Sequence, residues 1–422
     1  MLHHTCSWAC RVKAVQAEAG TRVADSRFAK GPGEVLVMRA RIESIDFVRG
    51  VIIVVMALDH VRDFFGDAAV SPTDLATTTV PLFFTRWITH ICAPVFFLLT
   101  GTGAYLTLAR MSKSALSRFL LTRGLWLLFL ELVVVRFFMQ FNFDYQVTVI
   151  TVLWALGWSM IVLSALLWLP LWAIACFGAL LILCHNAFDA PGMAAAVSPI
   201  WVLLHRPGIL YQSSHTVVLV AYVLIPWVGV TALGYVLGAA YRSEAALRQR
   251  WLLALGISLM VAFVVLRLLN IYGDPARWSA QRTPLWTLIS FLNTTKYPPS
   301  VLFLLMTLGP ALLLLRAFDS GFPPVLRPAL SFGKVPLFFF LLHLCLIHLI
   351  VVVVSYVRYG EVSETFRSPD LAHFPFSAPP GWNVGLPAVY ALWILVVIML
   401  FPLCRWYAAL RQREHRWWLS YL

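Results

Sequence analysis

The sequence predicts an all-α, polytopic membrane helix bundle of about ten transmembrane helices, with both termini cytoplasmic. Three observations lead there. Only 12% of the 422 residues are charged, 60% are hydrophobic, and mean hydropathy is +0.81, whereas soluble domains carry about 25% charged residues. Long apolar runs recur, as spans of roughly 20 residues require. The basic residues gather in short segments between those runs, the pattern of cytoplasmic loops.

Taken in order, residues 1–38 are polar, contain "GPGE" and lack an uninterrupted apolar core of signal-peptide length, so no cleaved leader is expected. They read either as a disordered cytoplasmic tail or as a mis-assigned start, with translation beginning at Met38. The transmembrane domain then spans 39–422. Its helices are expected at about 45–65, 80–109, 117–139, 146–168, 171–187, 215–240, 251–272, 299–317, 333–357 and 386–408. With the N-terminus inside, the inner segments hold Arg39 and Arg41; Arg110, Lys113, Arg118 and Arg123; Arg242, Arg248 and Arg250; Arg316, Arg327 and Lys334; and Arg405, Arg411, Arg413 and Arg416. The outer loops hold fewer: Arg62, Arg206, Arg277, Arg282, Lys296, Arg358 and Arg367. No internal repeat suggests a transporter built from two halves. The closing "CRWYAALRQREHRWWLSYL" suits an amphipathic anchor at the inner membrane surface.

Several function classes fall away. The net charge of +13 is not gathered into a groove-like block, so nucleic acid is not an expected partner. The seven Cys show no CxxC pairing, and Cys92, Cys176, Cys184 and Cys345 lie inside apolar runs. Neither a disulfide framework nor a zinc site is indicated.

The chemistry-bearing residues concentrate in "RIESIDFVRGVIIVVMALDHVRDFFG" and "FFTRWITHICAPVFFLLTGTGAYL". An ionisable group inside a bilayer costs at least ~3 kcal/mol, so it is expected to face a bundle interior or a wet cavity. At about 100° per residue, Arg49 and His60 fall at about 300° and 320° from Asp46, giving one polar stripe. Arg86 lies about 40° from His90 by the same advance, and Pro94 and Gly101 leave room for close approach on that side. If the first two helices are adjacent and antiparallel, His60 and His90 sit at comparable depth. Imidazole suits general-base work on an amine or hydroxyl, with Asp59 or another neighbour to orient it. His60, His90 and Asp59 are therefore the catalytic candidates, and Arg86, Asp46 and Arg49 the substrate-binding candidates. The bland alternative for Asp46–Arg49 is an intrahelical pair. A metal site among His60, His90, Asp59 and Asp63 matches no ligand spacing, and none is expected. Arg123 and Lys334 are candidates for the phosphates of a cytoplasmic donor, although positive-inside topology explains them equally. Glu131, Arg136, His343 and His348 are weaker signals; His343 and His348 lie about 140° apart, so packing is their default reading.

The string "RIESIDFVRGVIIVVMALDH" resembles the opening signature of the heparan-alpha-glucosaminide N-acetyltransferase catalytic-domain family, within the transmembrane acyltransferases. "RWITHICAPVFFLLTGTGAYL", "LIPWVGVTALGYVLG", "LNTTKYPPSVLFLLMTLGPALLLL", "FGKVPLFFFLLHLCLIH" and "LCRWYAALRQREHRWWLSYL" resemble its bacterial branch. The resemblance implies about ten or eleven helices and, as in the lysosomal branch of the family, transfer of an acetyl group from cytosolic acetyl-CoA to a glucosamine amine on the far side of the membrane. Asp46, Arg49 and Gly50 match the family pattern of the first helix, and Pro94, Phe96 and Gly101 that of the second. The lysosomal branch carries Asn where His60 stands. Its proposed active-site His lies before the second helix, where this chain has none between His60 and His90.

These readings converge on an acyltransferase of the bacterial inner membrane, using acetyl-CoA or another acyl-CoA. The expected partners are the lipid bilayer, a sugar- or lipid-linked acceptor and, as an option, a second copy in a homodimer. Two other classes stay open: a transporter or permease using the same polar stripe for a solute or proton, and a scaffold in which these groups merely pair.

Overall fold

The computed structural model describes residues 42–189 and 198–414, together with 416, 419 and 421. The expected tail over residues 1–38, with Arg39 and Arg41, lies outside the described residues. Glu43–Leu422 forms one compact unit.

The molecule is mostly helical and of the membrane type. Its helices are α1 (Glu43–Phe65), α2 (Val80–Thr89), α3 (Cys92–Thr107), α4 (Lys113–Phe129), α5 (Arg136–Gln140), α6 (Val152–Leu166), α7 (Leu171–Cys184), α8 (Pro199–Leu204), α9 (Leu224–Ala240), α10 (Ala245–Leu269), α11 (Pro284–Leu292), α12 (Val301–Ala317), α13 (Pro328–Lys334), α14 (Pro336–Tyr359) and α15 (Gly385–Arg413). Among the described residues, five helical stretches are long and apolar enough to cross a membrane: Val80–Thr107, Leu171–Asp189, Ala245–Leu269, Pro336–Tyr359 and Gly385–Arg413. α1 is 23 residues long but carries Asp46, Arg49, Asp59, Arg62 and Asp63. On α10 and α15, Trp251, Val261, Leu268, Ile394, Ile398 and Trp406 are exposed, as expected of helix faces turned to lipid.

Three departures from the expected helices have local causes. The segment expected at 80–109 breaks at His90–Ile91, between α2 and α3. Pro94 lacks the N–H that would bond the His90 carbonyl, and its ring crowds that carbonyl. Thr79 starts α2 by accepting the Leu82 N–H, with a proline in the first turn. The segments expected at 146–168 and 215–240 each open with a strand instead: β1 (Val147–Ile150) and β3 (Val217–Val220). Their "VTVI" and "VVLV" runs are dominated by β-branched residues, which fit a pleated surface. With β2 (Gly208–Gln212) they form a sheet in the order β1-β3-β2, β1 parallel and β2 antiparallel to β3, with Val147 opposite Val217. Between α4 and α5 the chain makes a π-helical segment, Leu130–Val135. There the buried Glu131 carboxylate accepts the Thr151 and Leu153 N–H groups, capping α6. Arg136 is likewise structural, donating to Asn142 and Asp144.

α1 lies at the centre of the site, packed by α13, α14 and α15 and touched by α3 and α2. Its close approach to α13 depends on Gly50 and Gly333: a Cβ on Gly333 would stand 1.7 Å from the Asp46 carbonyl oxygen. Gly101 of α3 meets the α9 backbone at Thr231 and Gly234 in the same way. Small residues let membrane helices pack backbone to backbone, where apolar burial alone discriminates little between helix and lipid.

Candidate active site

The last turns of α1 present Asp59, His60, Arg62 and Asp63. Asp59 is buried and forms a direct ion pair with Arg86 of α2. Its second oxygen lies 2.9 Å from Arg62, which also reaches Asp63 at 2.5 Å. The carboxylate expected to orient His60 is therefore committed to two arginines. A buried carboxylate needs such compensation, because an isolated one in a low-dielectric interior is strongly disfavoured.

His60 is oriented by another histidine. Its Nδ1 lies 2.6 Å from Nε2 of His343 on α14, and Nδ1 of His343 lies 3.0 Å from the Phe339 carbonyl oxygen. Hydrogen-bond direction fixes both tautomers. The carbonyl can only accept, so His343 carries its proton on Nδ1 and offers a lone pair at Nε2. His60 then donates from Nδ1, which leaves the basic lone pair on its Nε2. His343 is fully buried, with Phe339 stacked 5.3 Å away and Phe340 edge-on at 5.5 Å. His60 remains partly exposed. The arrangement is a base with a free lone pair, held by a buried acceptor.

His90 sits at the α2–α3 break, 1% exposed and edge-on to Phe303 at 5.3 Å. Neither ring nitrogen has a hydrogen-bond partner among the described residues. The charges of Arg86, Lys296, Asp59 and Arg62 all act on it. Lys296, from the turn before α12, also acts on Asp59 and His60. Beside it, Tyr297 packs on Tyr222 (5.5 Å), which stacks on Trp227 (5.5 Å), which stacks on Phe97 of α3 (4.5 Å).

At the other end of α1, Asp46 and Arg49 form an i,i+3 pair at 3.2 Å, and Arg49 reaches the Leu99 carbonyl at 3.5 Å. Arg123 lies within electrostatic reach of Arg49 and Arg411, with Tyr407 and Tyr421 alongside. Lys334, grouped with Arg123 on sequence grounds, meets this cluster through its backbone carbonyl, which accepts from Arg411 at 3.0 Å. Three guanidinium groups near one helix end can hold a multiply charged phosphate group. Between Arg49 and His60 the helix rises roughly 16 Å.

The structure thus brings together Asp59 with Arg86, and places His60 and His90 around that pair. It does not bring His60 and His90 into contact. Sequence reasoning missed His343, Lys296, Tyr297 and Arg411. The signal for Lys296 was present in "NTTKYPPS", where a lysine sits between an Asn/Thr cluster and a Pro pair in an apolar setting. His343 was only a weak signal read as packing, because its partner lies 283 residues away. His348 is a packing residue as expected: its ring nitrogens face the Phe138 and Thr365 carbonyls, and Phe141 stacks on it at 4.0 Å. Among the described residues no three His, Cys, Asp or Glu side chains converge as metal ligands.

This architecture, a helical membrane-type fold with a histidine pair in a charged interior, goes with a match to a known family. Residues 41–275, more than half of the chain, match the model described as heparan-alpha-glucosaminide N-acetyltransferase, catalytic. The chain belongs to that family, a family of membrane acetyltransferases, and is an integral membrane protein. No curated protein matches it significantly. The matched span contains Asp46, Arg49, Asp59, His60, Arg86, His90 and Arg123; Lys296 and His343 lie beyond it.

Proposed function

We propose that this protein is an acyltransferase of the bacterial inner membrane, with about ten spans and both termini cytoplasmic. It moves an acyl group, acetyl in the simplest case, from cytoplasmic acyl-CoA to an amine or hydroxyl of an outward-facing sugar or lipid headgroup. The observation that carries the reading is the His60–His343 pair, which leaves a lone pair at Nε2 of His60 inside a family of acetyltransferases.

In the proposed reaction, CoA phosphates bind Arg49, Arg123 and Arg411 at the N-terminal end of α1, and the thioester lies along α1 toward His60. The acceptor oxygen or nitrogen attacks the thioester carbonyl carbon and gives its proton to His60 Nε2. A C–O or C–N bond forms and the C–S bond breaks. The CoA thiolate leaves and takes up the proton held by His60. The developing imidazolium keeps its Nδ1 proton on His343, so the charge is shared over a buried hydrogen bond. Arg86, fixed by Asp59, and His90 supply donors for the oxygen that gains negative charge. Asp59 is a positioning residue here, holding Arg86 and Arg62.

The test is transfer of label from radiolabelled acetyl-CoA, by purified protein in nanodiscs, to glucosamine or to extracted membrane lipid. A labelled acceptor or labelled enzyme supports the reading. Movement of a solute across proteoliposomes without CoA, and no labelled product, replaces it with transport.

A further inference from the structure

Lys296 is 9% exposed, and among the described residues no carboxylate forms an ion pair with it. That is unusual, since buried lysines are almost always paired. Its neighbours explain why no carboxylate is available to it. Asp59 is engaged by Arg86 and Arg62, and Asp63 by Arg62. Asp274, the carboxylate under the same turn, accepts from the Thr295 N–H at 2.9 Å, the Thr295 hydroxyl at 2.9 Å and the Ser300 hydroxyl at 2.6 Å. The side chains around His60 and His90 then include three basic groups, Arg62, Arg86 and Lys296, against one buried carboxylate, Asp59, and one exposed, Asp63. A surplus cation in a buried site is costly unless an anion joins it.

The turn that presents Lys296 is built rigidly. Besides the Asp274 contacts, the Ser300 N–H bonds the Thr295 carbonyl at 3.0 Å, Lys296 bridges to Pro299, and Asn293 donates to the Thr73 carbonyl at 2.8 Å. The ordering cost of placing this ammonium is therefore met before any ligand arrives. Tyr297, 40% exposed, lies with its ring 5.2 Å from Nζ and links the site to the surface. Nearby, neither ring nitrogen of the buried His90 has a hydrogen-bond partner among the described residues.

We propose that Lys296 is the centre of a phosphate-binding subsite, and that the acceptor is a phosphorylated molecule whose phosphate docks there. The inference rests on the acyltransferase reading for its link to catalysis, and on Lys296 alone for the binding. The ammonium is a compact point charge suited to phosphate, with the free edge of Arg62 as a further donor. The phosphate comes either from a lipid headgroup or from a soluble sugar phosphate.

The experiment uses the full chain in zwitterionic nanodiscs with inorganic phosphate as the probe, against chloride at equal ionic strength. Phosphate is expected to raise the unfolding temperature saturably, with Lys296→Met weakening the response about tenfold to a hundredfold and Lys296→Arg keeping most of it. Wild-type protein gives an independent readout: phosphate should slow amine-reactive labelling of Lys296, measured by peptide mass spectrometry. Nanodiscs with added phosphatidic acid identify the source. Competition with phosphate at Lys296 assigns a lipid headgroup, and its absence assigns a soluble acceptor. An equal phosphate response in wild type and Lys296→Met, or unprotected labelling of Lys296, overturns the proposal. Acyl transfer that treats glucosamine and glucosamine 6-phosphate alike, without Lys296-dependent phosphate binding, removes this subsite and leaves the enzyme. Lys296-dependent phosphate binding with no acyl transfer to any acceptor does the reverse.

Discussion

The two ends of α1 carry similar charges and use them differently. At its N-terminal end, Asp46 pairs with Arg49 one turn away, and the backbone is pressed against α13 at Gly50 and Gly333. At its C-terminal end, Asp59 reaches Arg86 on α2 and His60 reaches His343 on α14. An intrahelical pair needs only one helix to form and by itself says little about its neighbours. A pair between helices fixes two backbones relative to each other. The second kind orients a side chain within a fraction of an ångström, which is what proton transfer needs.

Substitutions should separate the two ends. The largest stability effect is expected for Asp59→Asn, which leaves Arg86 buried without its carboxylate and Arg62 with Asp63 alone. Breaking a buried pair costs about 3–5 kcal/mol, to be measured as a drop in the unfolding temperature of the nanodisc-held protein. A smaller effect, on rate more than stability, is expected from His343→Phe. It removes the acceptor for His60 Nδ1–H, frees the tautomer, and should lower kcat roughly tenfold to a hundredfold with little change in KM. His343→Gln can still accept that proton and should recover part of the rate, so Phe and Gln variants with equal kcat would break the comparison. At the other end, Asp46→Asn loosens a pair whose arginine is 20% exposed, so water can take over part of the lost interaction; its cost should be smaller than that of Asp59→Asn by the same unfolding measurement.

The smallest effect tests a loop. Partial burial works against the charge on Asp144, yet bonds from the Ser368 hydroxyl and the Gln146 N–H, together with Arg136, hold its carboxyl below the usual range. A depressed folded-state value means this contribution is complete above the unfolded value and disappears as pH falls through the folded one. Wild type should therefore lose a small increment of stability below about pH 4 that Asp144→Asn never had. Parallel acid unfolding curves for the two proteins would contradict this.

How much of this was legible follows from the range of each interaction. Helices could be read from apolar runs, and the Asp46–Arg49 pair from i,i+3 spacing, because both are local. The break at His90 was written four residues ahead, in Pro94. The strands before α6 and α9 were hidden, because a short β-branched run joined to an apolar helix reads as more helix. Asp59 was read as the group orienting His60, but its carboxylate pairs with Arg86 and Arg62. The role of His343 was invisible, since angular comparison with His348 on its own helix says nothing about a ring arriving from α1. Arg123 likewise found Arg49 and Arg411, contributed by helices distant in sequence.

In the proposed reaction the C-terminal end of α1 does the chemistry through Nε2 of His60. The direct measurement is kcat for acetyl transfer by His60→Ala in nanodiscs, beside wild type and the exposed control Arg250→Ala, each checked for an unchanged unfolding temperature. A loss of about a hundredfold or more is expected for His60→Ala, with wild-type turnover for Arg250→Ala. A folded His60→Ala protein turning over at the wild-type rate would contradict it.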